Sequence, residues 1–320
     1  MFERLRLLKV VSRPEFLPAN CGSLVMGFAW AYDYSTFNCR TLALTALSFF
    51  IITVVSAIGA QLNTLGDREL DSTEPRKRYL VEATNHLGTS TVKTALATEL
   101  VICVALIVPF LLLQPKLELL FLWLAALFLT FAYNVPPLRL KARSWLAMLS
   151  LTLVLSILPV TFVYLTISSQ LDTLFALFLA GQSMTVYAII IPTETRDYFS
   201  DKASNVRTLT VALGLTKATP FAMILLTAGA VLMTAAFTLA LVGNQPLLLV
   251  FLLALFAADA YVLRKFKKLH RLSSQYEHTG ENSFAEEVVE LSTHNPKWIT
   301  FVSQSIVLMA VVLLVAKILS

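Results

Sequence analysis

Charge is scarce in this chain. Only 14 % of its 320 residues are Asp, Glu, Lys or Arg, whereas globular domains run near about 25 %, so the sequence cannot clothe a water-facing surface and no soluble domain is expected. Glycine is scarce as well, at 10 residues. None of them forms a GxGxxG or P-loop pattern, which removes the usual backbone cradles for nucleotide phosphates and argues against nucleotide hydrolysis. The three cysteines, Cys21, Cys39 and Cys103, show neither CxxC nor Cys/His spacing, so neither a disulfide framework nor a zinc site is supported. His86, His270, His278 and His294 fall in expected loops without ligand spacing. What is abundant is apolar: 57 % of the residues are hydrophobic and the mean hydropathy is +0.73. The net charge of +5 could suggest nucleic acid, but the cations sit at the edges of apolar stretches, which favours a topological explanation.

Nine apolar stretches of roughly 20 residues, the length a helix needs to cross the hydrocarbon, lie at about 16–34, 41–65, 91–113, 117–133, 145–168, 172–194, 216–242, 246–264 and 297–319. Gln114-Pro115, Pro136-Pro137, Asn244-Gln245-Pro246 and Asn295-Pro296 mark breaks between them. The basic start runs straight into the first stretch, which reads as an uncleaved span rather than a signal peptide. Of the 25 Lys and Arg residues, 22 lie at the start or around the connections after the second, fourth, sixth and eighth spans; the others are Arg40, Lys116 and Lys317. The positive-inside rule then places the N-terminus and those connections in the cytoplasm and the C-terminus outside. The expectation is an all-α, multi-pass protein of the cell membrane, one domain over residues 1–320.

One cytoplasmic connection begins with residues 61–78, QLNTLGDRELDSTEPRKR. Asn63, Asp67 and Asp71 are spaced i, i+4, i+8, so a helix continuing through them stacks their oxygens on one face, with the carboxylates about 6 Å apart in rise. Hard oxygens so arranged suit Mg²⁺ when a phosphate completes its shell. Thr193, Asp197 and Asp201 repeat the spacing at the end of the sixth span, each 130 positions after its counterpart. Glu194 falls on the same face. Cations follow both copies, Arg76, Lys77 and Arg78 after the first, Lys202 and Arg207 after the second. Four carboxylates held close repel one another unless cations neutralise them, and two such helix ends on one membrane face can clamp a diphosphate through bridging metal. The same register suggests two four-helix halves with the ninth helix appended, a repeat that places the shared site at the interface.

NxxxDxxxD at 63–71, DxxxD at 197–201 and YNVPPLRLKAR at 133–143 resemble the three cytoplasmic-loop motifs of the UbiA superfamily of intramembrane prenyltransferases. SRPEFLPANCG from Ser12 and RDYFSDKASNVRTLTVALG from Arg196 are similar to the branch that prenylates 1,4-dihydroxy-2-naphthoate. The resemblance implies a UbiA-type bundle and Mg²⁺-dependent transfer of a polyprenyl group from an allylic prenyl diphosphate to a hydrophobic, aromatic quinone-precursor acceptor, through a prenyl carbocation. It implies Asn63, Asp67, Asp71, Asp197 and Asp201 as metal ligands, and Arg13, Tyr133, Arg139 and Lys141 as diphosphate contacts beside Asn63. Glu194 would stand behind the ligands as an acid or as acceptor of the substrate's proton. The partners implied are donor, acceptor and bilayer, with no nucleic acid. Two rivals remain: prenylation of a lipid alcohol or terpenoid acceptor on the same fold, and a membrane transporter, since intramembrane polar residues also mark substrate pathways.

The sequence departs from the family pattern in three places. Thr64 stands where many members have Asp; STEPRKRYLVEA after Asp71 lacks the usual RP(I/L)xxG; and Ser204-Asn205 replaces a common Gly, a turn that survives because Asn tolerates the left-handed conformation. Elsewhere, Asp259 is expected to pair with Arg264 or Lys265, and KFKKLHR from Lys265 reads as a basic anchor to anionic lipid, with a lid over the site as the alternative.

Overall fold

The computed structural model describes residues 2–14, 17–72, 74–243 and 245–320. Glu15 and Phe16 of the opening motif and Asn244 of one expected break lie outside the described residues. The chain runs through α1 (Phe2–Val11), α2 (Leu17–Ala31), α3 (Cys39–Gly66), α4 (Arg68–Ser72), α5 (Arg78–Leu87), α6 (Thr89–Leu113), α7 (Leu117–Asn134), α8 (Trp145–Thr152), α9 (Leu158–Ile167), α10 (Thr173–Ala203), α11 (Leu209–Leu213), α12 (Leu215–Val242), α13 (Leu252–Thr279), α14 (Asn282–Thr293) and α15 (Asn295–Leu319). Among the described residues there is no strand beyond one bridge between Arg143 and Arg207.

Polar residues set the helix starts. Asn38 accepts from the Thr41 amide at 3.0 Å, Asp172 from Phe175 at 3.3 Å and Thr208 from Val211 at 3.3 Å, each satisfying one of the donors that a helix start leaves open. Among the described residues, eight helical segments are long and apolar enough to cross a membrane: Cys39–Gly66, Thr89–Leu113, Leu117–Asn134, Trp145–Ile167, Thr173–Ala203, Leu215–Val242, Pro246–Thr279 and Asn282–Leu319. They coincide with the second to ninth expected spans. The first corresponds to α2, which has 15 residues and packs on α9 and α15. A Cβ at Gly27 would stand 2.6 Å from the Val160 carbonyl, so glycine there is what lets α2 approach α9.

Apolar packing forms two main clusters. One joins α3, α6 and α7 through Ile51, Cys103, Phe110 and Trp123, with Phe162 of α9 reaching into it. The other joins α2, α9, α10, α12, α13 and α15 around Trp30, Phe178, Phe237 and Trp298. At one end of the bundle the last turns of α3 and α7 meet through Asn63 and Asn134, and Lys77 links α4 to α10. At the opposite end, Arg40, Lys116 and Lys317 donate to carbonyls at or just beyond helix C-termini: Leu113 at 2.5 Å, Leu165 and Ser168 at 2.7 and 2.6 Å, Trp30 and Tyr32 at 2.6 and 2.9 Å.

Three expectations need correction. Asp259 forms no ion pair with Arg264 or Lys265: its carboxylate is buried without a hydrogen-bond partner, and the Lys265 ammonium instead lies 5.3 Å from the centre of the Tyr261 ring. The stretch from Lys265 to Lys297 is not a loop but the continuation of α13 followed by α14, so His270 and His278 sit in helix. Phe266 and Leu269 of KFKKLHR are buried, and Leu269, Leu272 and Val288 pack with Tyr198 of α10. The apolar face of that basic segment is therefore spent on protein, while Lys267, Lys268 and Arg271 face outward. Finally, the helix through the first acidic motif is interrupted at Asp67.

Candidate active site

The two acidic motifs sit differently in their helices. α10 continues unbroken through Thr193, Asp197 and Asp201 to Ala203. α3 ends at Gly66, and α4 resumes at Arg68, so Asp67 lies at a one-residue break with φ −104° and ψ 6°. The break is slight: the Asp67 amide still donates to Asn63 at 2.9 Å and the Asp71 amide to Asp67 at 2.7 Å. One face is thus kept, as expected, although the continuous helix is not.

The first member of each motif is held by an asparagine at a neighbouring helix boundary. Asn134, the last residue of α7, accepts from Asn63 Nδ2 at 3.2 Å. Asn295, the first residue of α15, donates to Thr193 Oγ1 at 2.7 Å and to the Ile189 carbonyl at 2.8 Å. The second contact falls beside Pro192, whose missing N–H loosens the α10 ladder at this point. A further tie runs between the loops: the Ser144 amide donates to the Arg207 carbonyl at 2.8 Å, joining the connection after α7 to the connection after α10.

These ties bring the acids together. Lys77 Nζ lies 3.0 Å from Asp71 Oδ1 and 3.0 Å from Asp197 Oδ2, so the two motifs converge on one cation. Asp67 Oδ1 is 2.5 Å from Lys141 Nζ and 3.5 Å from Arg139 Nη2. Asp197 is gripped in addition by Arg196, at 2.8 and 3.1 Å. Asp201 is buried and feels the charges of Asp197, Lys77 and Asp67. Tyr133 projects from the end of α7 into the same field, within electrostatic reach of Glu194, Asp67, Asp201 and Asp197. Of the expected set, Asp67, Asp71, Asp197, Asp201, Tyr133, Arg139 and Lys141 thus share one neighbourhood.

Arg13 and Glu194 are placed less directly. Arg13 adopts a left-handed backbone, φ 50°, in the turn after α1. That turn is fastened to α3 by Gln61, which donates to Ser12 Oγ at 3.0 Å, and by Thr64, which donates to the Val11 carbonyl at 3.3 Å. Gln61 also donates to Glu99 of α6 at 2.6 Å. Thr64, where many family members have Asp, is therefore a brace for α1. Both oxygens of Glu194 are engaged: one accepts from the Tyr187 hydroxyl at 3.1 Å, the other from the Thr210 amide and hydroxyl, each at 2.9 Å. It fastens α11 to α10.

Burial and charge pull these groups in opposite directions. Burial pushes the Asp71 carboxyl above the usual carboxylate value, with Lys77 pulling the other way. Burial alone would lower the Lys77 ammonium, but Asp197 and Asp71 outweigh it and hold it above the usual lysine value. For Lys141, burial wins over Asp67 and the ammonium is lowered. Among the described residues no three Asp, Glu, His or Cys side chains already stand close enough to enclose a metal ion. Two carboxylates nonetheless face one cation-sized point, and a donor set of carboxylate and amide oxygens is the chemistry Mg²⁺ accepts.

Sequence reasoning placed no role on three residues at this site: Lys77, Arg196 and Asn134. Lys77 was visible only as one of three cations after Asp71, in the segment that departs from the family pattern. Asn205 does take the expected left-handed turn, φ 56°.

The model of the UbiA prenyltransferase family matches residues 21–276. Among solved structures, a UbiA homologue from Archaeoglobus fulgidus bound to GPP and Mg²⁺ is 18 % identical, with a TM-score of 0.56, over 94 % of this chain and 99 % of that one. The same homologue bound to DMAPP and Mg²⁺ gives 18 % identity and 0.55 over 94 % and 99 %. A structure of digeranylgeranylglyceryl phosphate synthase is 14 % identical, with a TM-score of 0.57, over 97 % of this chain and 99 % of that one. At such identities the likeness is one of fold. No curated protein matches. The family match, spanning most of the chain and all the acidic residues described above, means that this protein belongs to the UbiA prenyltransferase family.

Proposed function

We propose that the protein transfers a prenyl group from an allylic prenyl diphosphate to a hydrophobic acceptor, with Mg²⁺ held between the two acidic motifs. The observation that carries this reading is the convergence of Asp71 and Asp197 on one cation, 3.0 Å from each. The neighbours' bound GPP, DMAPP and Mg²⁺ support it by analogy of fold.

In this reading Asn63, Asp67, Asp71, Asp197 and Asp201 hold the metal, and Arg13, Tyr133, Arg139 and Lys141 hold the diphosphate. The metal supplies Lewis-acid neutralisation of the leaving group's charge. The chain's own cations would do the same: Lys141 and Arg139, which face Asp67, would stabilise the charge that develops as the bond breaks. The bond from C1 to the bridging oxygen breaks with its electron pair on diphosphate, and the allylic cation left behind is captured by an electron-rich acceptor, which then loses a proton. Glu194 would receive that proton at Oε1, which accepts a single hydrogen bond, from the Tyr187 hydroxyl, or through that hydroxyl.

The acceptor we infer is an aromatic quinone precursor of the naphthoate type. Nine crossings, two halves related by the 130-residue register, and a site at the cytoplasmic face of the cell membrane complete the reading. The test is product mass: purified protein with Mg²⁺ and labelled prenyl diphosphates is offered naphthoates, other aromatic acids and glycerol-ether phosphates. A prenylated aromatic product with release of diphosphate is expected. A prenylated glycerol ether replaces the acceptor, and absence of diphosphate release with every pair leaves the transporter reading.

A further inference from the structure

Among the described residues, every aspartate of the two motifs except Asp201 already has a cation of this chain against it. Asp67 has Lys141 and Arg139, Asp197 has Arg196, and Lys77 spans Asp71 and Asp197 at 3.0 Å each. Lys77 belongs to neither acidic helix. It comes from the short turn Pro75–Lys77 between α4 and α5, inside the segment that departs from the family pattern. Its side chain is only 15 % exposed and Asp71's only 5 %, so the ammonium is a fixed element of the site rather than a loose surface ion pair.

The ammonium stands where an ion bridging the two motifs would have to go. Two cations at that point repel, and the carboxylate oxygens that would coordinate the ion are the ones that Lys77 occupies. We propose that Lys77 is a built-in stand-in for the bridging ion: it holds the two acidic motifs together in the ligand-free protein, opposes entry of a divalent metal by itself, and moves to the diphosphate when both arrive. The proposal rests on the metal and diphosphate reading given above.

Charge balance explains the order. The four motif aspartates, Asp67, Asp71, Asp197 and Asp201, share the site with four cations, Lys77, Arg139, Lys141 and Arg196, which pair with the first three and act on Asp201 only at longer range. A divalent ion alone leaves an excess of positive charge, and diphosphate alone an excess of negative charge. Together they enter with most of their charge matched, and the displaced Lys77 gains a new anion. Metal and diphosphate therefore strengthen each other's binding by the same factor, as linkage requires.

Mn²⁺ binding to the purified full-length chain, read by electron paramagnetic resonance, tests this without turnover. It is measured with and without inorganic pyrophosphate, after correction for the Mn²⁺ that pyrophosphate itself holds. Wild type should bind Mn²⁺ weakly alone and at least about tenfold more tightly with pyrophosphate, within the usual range of coupling between sites. Lys77→Met should bind Mn²⁺ alone about tenfold more tightly than wild type, so that its own gap between the two conditions narrows, and Lys77→Arg should behave as wild type. Lys77→Gln serves as a second neutral variant, with thermal unfolding to confirm that each is folded. Equal affinities of wild type and both neutral variants for Mn²⁺ alone overturn the proposal while leaving the metal reading intact. Absence of Mn²⁺ binding in every variant, with or without pyrophosphate, overturns both. Wild-type affinity that is indifferent to pyrophosphate overturns the proposal without any variant.

Discussion

At the scale of single residues, the site gathers buried and half-buried acids, most of which have a cation of this chain against them. Asp67 and Asp201 differ in this respect: the first lies against Lys141 and Arg139, the second is buried with no ion pair among the described residues. Neutralising either removes one proposed ligand from the shared cluster without emptying volume from the core. Asp67→Asn and Asp201→Asn should each lower turnover by at least about 10²-fold, the loss typical when a preorganised charge at a reacting centre is deleted, with little change in thermal stability. Steady-state rates at limiting Mg²⁺ beside a thermal melt check this, and near-normal rates in either variant contradict it. The acids were legible in the sequence because they repeat at a fixed offset of 130. Lys77 and Asn134 were not, because their roles depend on where other segments arrive, whereas Arg196 grips its own neighbour Asp197. Lys77 follows Asp71 by 6 positions, yet it bridges to a residue on another helix, and no local spacing encodes that.

At the scale of elements, α10 carries the second motif, and its position depends on how closely it meets α12. Gly181 and Gly229 face each other across that contact: a Cβ at Gly181 would stand 2.7 Å from the Gly229 carbonyl, and one at Gly229 would stand 2.6 Å from the Gly181 carbonyl. Gly181→Val should overpack the contact and lower stability by about 1–3 kcal/mol, and turnover should fall with it as α10 is pushed from its register against α3. A denaturation midpoint in detergent paired with an initial rate checks both. Unchanged stability would mean that the helices part at no cost. The spans themselves were legible from apolar length alone. The extension of α13 and the packing of α14 on α10 were not, because a basic helix with one apolar face reads the same whether lipid or protein covers that face. Only the tertiary position of Leu269, Leu272 and Val288 beside Tyr198 distinguishes the two. The interrupted helix at Asp67 was hidden for a related reason: Gly66 and Asp67 permit a break, but the approach of Lys141 to Asp67 is what gives the broken turn a partner.

At the scale of the whole molecule, the two ends of the bundle treat their cations differently. At one end cations face the acidic motifs; at the other, Arg40, Lys116 and Lys317 are spent on carbonyls at helix ends, where the helix dipole favours positive charge. These are the same three residues that stood apart in the count of cations along the sequence, so their placement is consistent with the proposed orientation. Exposed Cys39 begins α3 beside Arg40 and offers a direct probe. In a chain with Cys21→Ser and Cys103→Ser, a membrane-impermeant maleimide should label Cys39 from outside intact cells. Labelling only after the membrane is permeabilised reverses the orientation.

In the proposed reading the two acidic motifs form one site. Diphosphate release from a labelled prenyl diphosphate, measured against Mg²⁺ concentration in wild type, Asp71→Asn, Asp197→Asn and the double variant, tests it most directly. Residues that act as a unit lose function non-additively, so each single variant should fall nearly as far as the double. Losses that multiply, or single variants that keep their Mg²⁺ dependence and rate, would mean that the motifs work apart and would contradict the account.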